Sequence, residues 1–164
     1  MTGTTWIEES GFLEGPVMIT NTHSVGAVHE GVIQWRVAQG GADATGYYWS
    51  LPVVAETWDG HLNDINGFHV RPEHAGAALD HAQSGPVAEG SGMICFEFKC
   101  GIGTSSRLVQ VNETGYTLGV LVQANFGRRG DLRVAGIAVG ERLPGDPVYS
   151  NTGYNEEMLS SIIV

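Results

Sequence analysis

The hydrophobic pattern changes period near Met93, and that change commits the chain to a fold mixing helix and sheet. Before it, apolar residues recur near helical spacing, with Val25, Val28, Val32, Ile33 and Val37 in one stretch. Thr22 or Ser24 can cap that helix, which is predicted to run to about Ala38 before Gly40-Gly41 end it. A glycine-rich loop then follows through Tyr48. A second helix is predicted from Pro72, whose fixed φ suits a first helical turn, to about Gln83, with Ala75, Ala77, Ala78 and Ala82 packing one side. Short apolar runs at 16–20 and 51–55 read as buried strands.

After Met93 the pattern turns to alternation and continuous apolar runs. Strands are predicted at 93–99, 105–111, 116–125 and 132–139, with Asn112-Glu113-Thr114-Gly115 as the turn between the middle two. The order is a strand–helix–strand–helix half followed by a meander, which predicts an α+β fold with helices covering one face of a sheet. No internal repeat is present. At 164 residues the chain is read as a single domain with room for a real core.

Charge and composition exclude several function classes. The net charge of −10, with a single lysine, Lys99, repels phosphate backbones and anionic lipid surfaces alike, so neither nucleic acid nor membrane is an expected partner. Apolar runs fall well short of a membrane span. The segment Met1-Thr2-Gly3-Thr4-Thr5-Trp6 lacks the basic flank and apolar core of a signal peptide, so a cytoplasmic location is expected. Cys95 and Cys100 suit neither a disulfide framework nor a zinc motif, and read as ordinary thiols in a reducing compartment.

Four places could carry chemistry, and each has a simpler reading beside it. The stretch Glu56 to His69 follows a buried strand and is dense in polar groups. Asp59, His61, Asp64 and His69 there are of metal-ligating type, but no helical His-x-x-x-His pair supports a metal, and a hydrogen-bonded turn explains them as well. Gly101-Ile102-Gly103-Thr104-Ser105-Ser106-Arg107 reads as a glycine–hydroxyl turn between strands. Its backbone N–H groups could form an anion nest, although the P-loop lysine and spacing are missing. Gln123 and Asn125 put amides at the end of an apolar strand, either as satisfied buried groups or as donors to a substrate oxygen. Leu159-Ser160-Ser161-Ile162-Ile163-Val164, taken alone, reads as a loose tail.

Taken together and in order, several segments resemble one family. They are 16–28, then Pro52-Val53-Val54-Ala55-Glu56-Thr57-Trp58-Asp59-Gly60-His61-Leu62-Asn63-Asp64-Ile65, then 92–99, 101–107, 122–127 and Ser161-Ile162-Ile163-Val164. The combination is similar to the L-aminopeptidase/D-esterase, or β-aminopeptidase, family of self-cleaving serine hydrolases. The resemblance implies a four-layer αββα sandwich like that of N-terminal-nucleophile hydrolases, with different connectivity. It implies autoproteolysis between Ser160 and Ser161, after which Ser161 is both the catalytic nucleophile and the first residue of a smaller subunit. Asn125 matches the family asparagine that helps hold the oxyanion. Trp58 stands where the family site often has a tyrosine, and its indole N–H can donate a hydrogen bond but not exchange a proton.

The implied activity is release of N-terminal residues from small peptides, amides or esters, β-amino acid and D-alanine derivatives among them. It needs no metal and no cofactor, and at full length it implies a homo-oligomer of processed heterodimers. The matched segments also predict an incomplete hydrolase domain. The family's opening strands lie ahead of the segment matching Met1, and its longer glycine-rich loop is represented only by Glu89-Gly90-Ser91-Gly92. The serine and acidic residue that assist the nucleophile lie beyond the segment matching Val164. Little or no activity is therefore expected of the 164 residues by themselves. Two other readings share the resemblance: a non-catalytic binding or assembly module of the same fold, and an ornithine acetyltransferase-like acyl transferase. The latter self-cleaves before a threonine, against which serine at 161 argues.

Overall fold

Two parallel strands and two packed helices organise the first half of the chain. In the computed structural model the described residues are 2–40, 49–83, 92–143, 145 and 161–163, and the side chains of Ser161 and Ile162 lie outside them. The chain divides into two compact units, Met1–Gly85 and Pro86–Val164. The predicted loop between Gly40 and Tyr48, the shortened Glu89–Ser91 region and Ser160 fall largely or wholly outside the described residues.

In the first unit, β1 (Val17–Asn21) pairs in parallel with β2 (Val53–Thr57), Val17 opposite Val53 and Asn21 opposite Thr57. Val53, Val54 and Ala55 are all buried, as expected of a parallel strand covered on both faces. Thr2 bridges the other side of β2, exchanging backbone bonds with Val54. Between the strands runs α2 (Val25–Ala38), preceded by a 3₁₀ turn at Thr22–Ser24; Ser24, the later of the two predicted caps, holds the N-cap position, though its side chain makes no cap bond. Val28 and Val32 carry the buried stripe and meet Val54 and Ala75, with Met18, Val25, Val70 and Leu79 packed around them.

The second long helix, α3 (Pro72–Asp80), starts at Pro72 as its sequence predicts but stops before Gln83. Its buried face also differs from the alanine side expected: Ala77 and Ala78 are exposed, while Ala75 is buried. Pro72, Ala75, Gly76 and Leu79 are spaced as one helical face, and α2 lies against it. Trp35 Nε1 donates to Asp80 Oδ1 at 2.7 Å, tying the two helices. The crossing is close because Gly31 lacks a side chain; a Cβ there would overlap the Pro72 carbonyl and sit 2.9 Å from the Ala75 Cβ. Gly31→Ala is therefore expected to cost about 1–3 kcal/mol through overpacking. A thermal melt followed by circular dichroism should show Tm falling by roughly 2–4 °C per kcal/mol; an unchanged melt would mean that the helices separate freely.

One helix has no counterpart in the sequence reading. α1 (Thr4–Ser10) opens on Thr4, Thr5, Trp6 and Ile7, β-branched and aromatic residues of modest helix propensity. Local hydrogen bonds hold it: Gly11 N–H reaches Ile7 O at 2.8 Å from a left-handed C-cap, and Ser10 Oγ donates to Trp6 O at 2.7 Å.

The second unit is built of hairpins. The predicted strand at 93–99 is in fact β3 (Ile94–Cys95) and β4 (Phe98–Lys99), folded back on each other about Phe96 and Glu97. Both turn residues have positive φ, 51° and 60°, the signature of a type I′ turn made without its usual Asn-Gly. The predicted strand at 132–139 is likewise a hairpin, β7 (Arg133–Val134) and β8 (Ile137–Ala138), turning at Ala135-Gly136 with positive φ at both. Between these lies a long ribbon, β5 (Ile102–Val111) paired antiparallel with β6 (Thr114–Asn125) through a tight turn at Asn112-Glu113.

The ribbon begins earlier than the sequence indicates. Residues 102–107 are strand opposite 118–123, so the segment read as a glycine–hydroxyl turn is ladder, and the anion-nest reading fails with it. β9 (Ser161–Ile163) completes a three-stranded sheet in the order β5-β6-β9. Helices and strands together make the chain α+β, and among the described residues no helix is long and apolar enough to cross a membrane.

Candidate active site

Asn125 is the last residue of β6, and β9 pairs with that end of the strand. The antiparallel register sets Gln123 opposite Ile163, Ala124 opposite Ile162 and Asn125 opposite Ser161. Residues directly opposite in such a ladder have Cα atoms roughly 4.5–5.5 Å apart. Two residues 36 positions apart in sequence are thus brought side by side by backbone pairing. Ile163 is buried at the end of this pairing, which gives the short β9 an apolar anchor.

Asn125 is only 5% exposed, so its amide needs partners. Its Oδ1 accepts the backbone N–H of Ile94 at 3.2 Å. That bond fixes which way the amide is turned: the acceptor, Oδ1, faces β3, and the donor, Nδ2, forms the other edge of the same plane. A side chain held in this way can present an N–H to a developing negative charge without first reorganising.

The β3–β4 hairpin that holds Asn125 is itself bolted to the segment after β6. Phe96 N–H donates to Phe126 O at 2.7 Å, and the two rings meet edge to face at 5.0 Å. Gly127 has a φ of 85°, and a Cβ there would press on the Phe96 ring, so both backbone and space require glycine. Glu97, 8% exposed, accepts from Arg129 N–H through Oε1 at 3.2 Å, and Arg129 Nη2 returns a bond to the Glu97 carbonyl at 3.1 Å. The same guanidinium lies 4.4 Å from the centre of the Phe98 ring. These contacts compensate for the positive φ of the turn. None was legible in the sequence beyond the oddity of a charge between two phenylalanines.

Cys95 and Cys100 are both free and half-buried. Burial, followed by a hydrogen bond that the Cys95 S–H donates to the neighbouring Cys100 sulfur and by the charge of that sulfur, pushes the Cys95 thiol up to about 11; the backbone of Phe126 opposes this in part.

Trp58 follows β2 in the first unit and is not joined by strand pairing to Asn125 or Ser161. Its ring lies over Gly60, where a Cβ would come within 2.8 Å of Cζ2. The polar residues beside it are held in part by local bonds, with Asp59 Oδ1 buried without a partner among the described residues. Asp59 is buried, with Oδ2 accepting from Asn63 Nδ2 at 2.9 Å, and its backbone oxygen takes the N–H groups of Leu62 and Asn63. His69 Nε2 and Asp64 Oδ2 pair at 3.2 Å with both side chains largely exposed. Among the described residues no three His, Cys, Asp or Glu side chains converge as metal ligands would.

The model of Peptidase family S58 matches residues 1–164. The chain is 58% identical over 150 residues to beta-peptidyl aminopeptidase BapA of Sphingosinicella microcystinivorans, covering 88% of this chain and 37% of that protein. Among solved structures it is similar to the L-aminopeptidase D-Ala-esterase/amidase of Ochrobactrum anthropi, described as a prototype of the serine aminopeptidases and a variant of the Ntn hydrolase fold. The TM-score is 0.80 at 47% identity, over 87% of this chain and 41% of that one. A Burkholderia sp. beta-aminopeptidase gives a TM-score of 0.76 at 53% identity, again over 87% and 41%. The chain therefore spans about two fifths of the length of the relatives it matches.

Proposed function

Because the chain belongs to peptidase family S58, we propose that a polypeptide of its relatives' length containing it is a self-cleaving serine aminopeptidase and amidase. It removes N-terminal residues from small peptides, amides or esters, and the 164 residues are part of one hydrolase domain. The observation that carries the reading is the register that pairs Asn125 with Ser161.

In this proposal the Ser161 hydroxyl attacks the carbonyl of Ser160. The peptide nitrogen leaves with the hydroxyl's proton as a new α-amine, and water hydrolyses the resulting ester to a Ser160 carboxylate and the free Ser161 hydroxyl. With a reference pKa of roughly 7.7–8.0 that amine is a serviceable base near neutral pH. Ser161 Oγ then attacks the substrate carbonyl while the amine takes its proton, and Asn125 Nδ2 donates to the oxyanion. The proton passes to the departing amine, and water releases the acyl group from Ser161. Trp58 takes the place of the family's oxyanion-facing tyrosine by resemblance alone, as a donor only.

The reading is tested on the product of the reading frame that encloses these residues. N-terminal sequencing is expected to find two chains, one beginning Ser-Ile-Ile-Val, and the product is expected to release β-alanine from a β-alanyl amide. A single uncut chain, or turnover lost to chelator, would sink the proposal. The 164 residues alone are expected to show no such turnover.

A further inference from the structure

We propose that Cys95 and Cys100 are a reversible dithiol–disulfide pair, and that closing the disulfide shifts the β3–β4 hairpin away from Asn125.

The hairpin register sets Cys95 opposite Phe98 and Ile94 opposite Lys99, and Cys100 N–H bonds to Met93 O at 2.9 Å. Cys100 is therefore two residues beyond the partner of Cys95, and the two share one face of the ribbon as diagonal neighbours. The two sulfurs are near enough for Cys100 to act on the Cys95 thiol. Both side chains are half-buried and free, so a small oxidant can reach them.

Diagonal neighbours in an antiparallel pair stand roughly 7–8 Å apart at Cα, at or past the ~7 Å limit for bridging without backbone movement. The thiols can thus touch, but a bond between them has to draw the two strands across each other. Ile94, the residue between Met93 and Cys95, gives the N–H that holds Asn125 Oδ1. A displacement of β3 acts directly on that bond.

The oxidant is a low-molecular-weight disulfide such as oxidised glutathione. The Cys100 thiolate attacks one of its sulfurs, forming a mixed disulfide and releasing one glutathione thiolate. Cys95 then gives up its proton and attacks the Cys100 sulfur, releasing the second. Two protein thiols and one small disulfide become one protein disulfide and two small thiols. The high proton affinity of Cys95 makes it the resolving thiol rather than the first to attack. Because the closed form is strained, a mild dithiol reverses it.

The disulfide chemistry stands without the peptidase reading; only its consequence for turnover rests on that. The test is run on the 164-residue chain with oxidised glutathione at mildly alkaline pH. Intact mass is expected to show loss of two hydrogens without added glutathione, and peptide mapping is expected to join residues 95 and 100. Cys95→Ser is expected to stop at a glutathione adduct on Cys100. Adducts at both positions of the unmodified chain, disulfide-linked dimers or no reaction would each overturn the pair. Amide hydrogen exchange at Ile94 is expected to quicken about tenfold in the oxidised chain. It should stay unchanged in Cys95→Ser/Cys100→Ser under the same treatment. A disulfide that forms with Ile94 exchange unaltered would overturn the coupling to Asn125, whatever the outcome for peptidase activity.

Discussion

Ser161→Ala, made in a polypeptide of the relatives' length, is expected to leave the chain uncut and to lower peptidase turnover by on the order of 10⁶-fold. The substitution removes the oxygen proposed to form both the internal ester and the acyl intermediate, and no other atom is assigned either role. The strand itself should survive, since β9 pairs with β6 through its backbone and its buried anchor is Ile163. Ser161→Thr supplies the control: it keeps a hydroxyl and adds a β-branch that suits a strand. Cleavage is expected to persist in it, at a reduced rate. Gel analysis of fresh and aged protein reads processing, and hydrolysis of a β-alanyl amide reads turnover. Full processing of Ser161→Ala would move the cleavage to another residue and end the assignment.

Asn125 offers the second large effect, and two substitutions separate its jobs. Asn125→Ala removes the proposed oxyanion donor and also leaves the buried Ile94 N–H without its acceptor. The first loss is expected to cost about 10²–10³ in kcat, and the second about 1–3 kcal/mol of stability. Asn125→Asp keeps an oxygen for Ile94 but replaces the donor with a second acceptor. It is expected to lose kcat to a similar degree while unfolding closer to the parent in urea. If Asn125→Asp retained full turnover, Asn125 would be a structural anchor alone. If both variants lost stability equally and neither lost kcat beyond that, the oxyanion role would fall.

What the sequence disclosed follows the range of the forces involved. β1, β2, α2 and the start of α3 were legible because apolar spacing and Pro72 act locally, within a few residues. The ribbon's turn at Asn112-Glu113 was legible for the same reason. The two short hairpins were not, because their turns depend on Phe96-Glu97 and Ala135-Gly136 adopting positive φ. In the first of these the compensation comes from Phe126 and Arg129, some 30 residues away. Helix α1 escaped because its stability lies in a cap and a serine back-bond, against modest propensity. Asn125 and Ser161 were named through resemblance, but their register and the Ile94 bond are long-range facts that spacing does not carry.

The pairing of β9 with β6 has one more consequence. In a strand a shift of one residue exchanges the two faces, and most sequences resist it because one face is apolar and the other polar. Ile162, Ile163 and Val164 are apolar on either parity, and Ser160 repeats the hydroxyl of Ser161. Side-chain pattern therefore offers this segment almost no protection against slippage. A β9 shifted by one residue toward Ser160 would still bury an isoleucine and would set Ser160 rather than Ser161 opposite Asn125. Fidelity at this junction consequently falls to the backbone ladder and to the seat of Ile163.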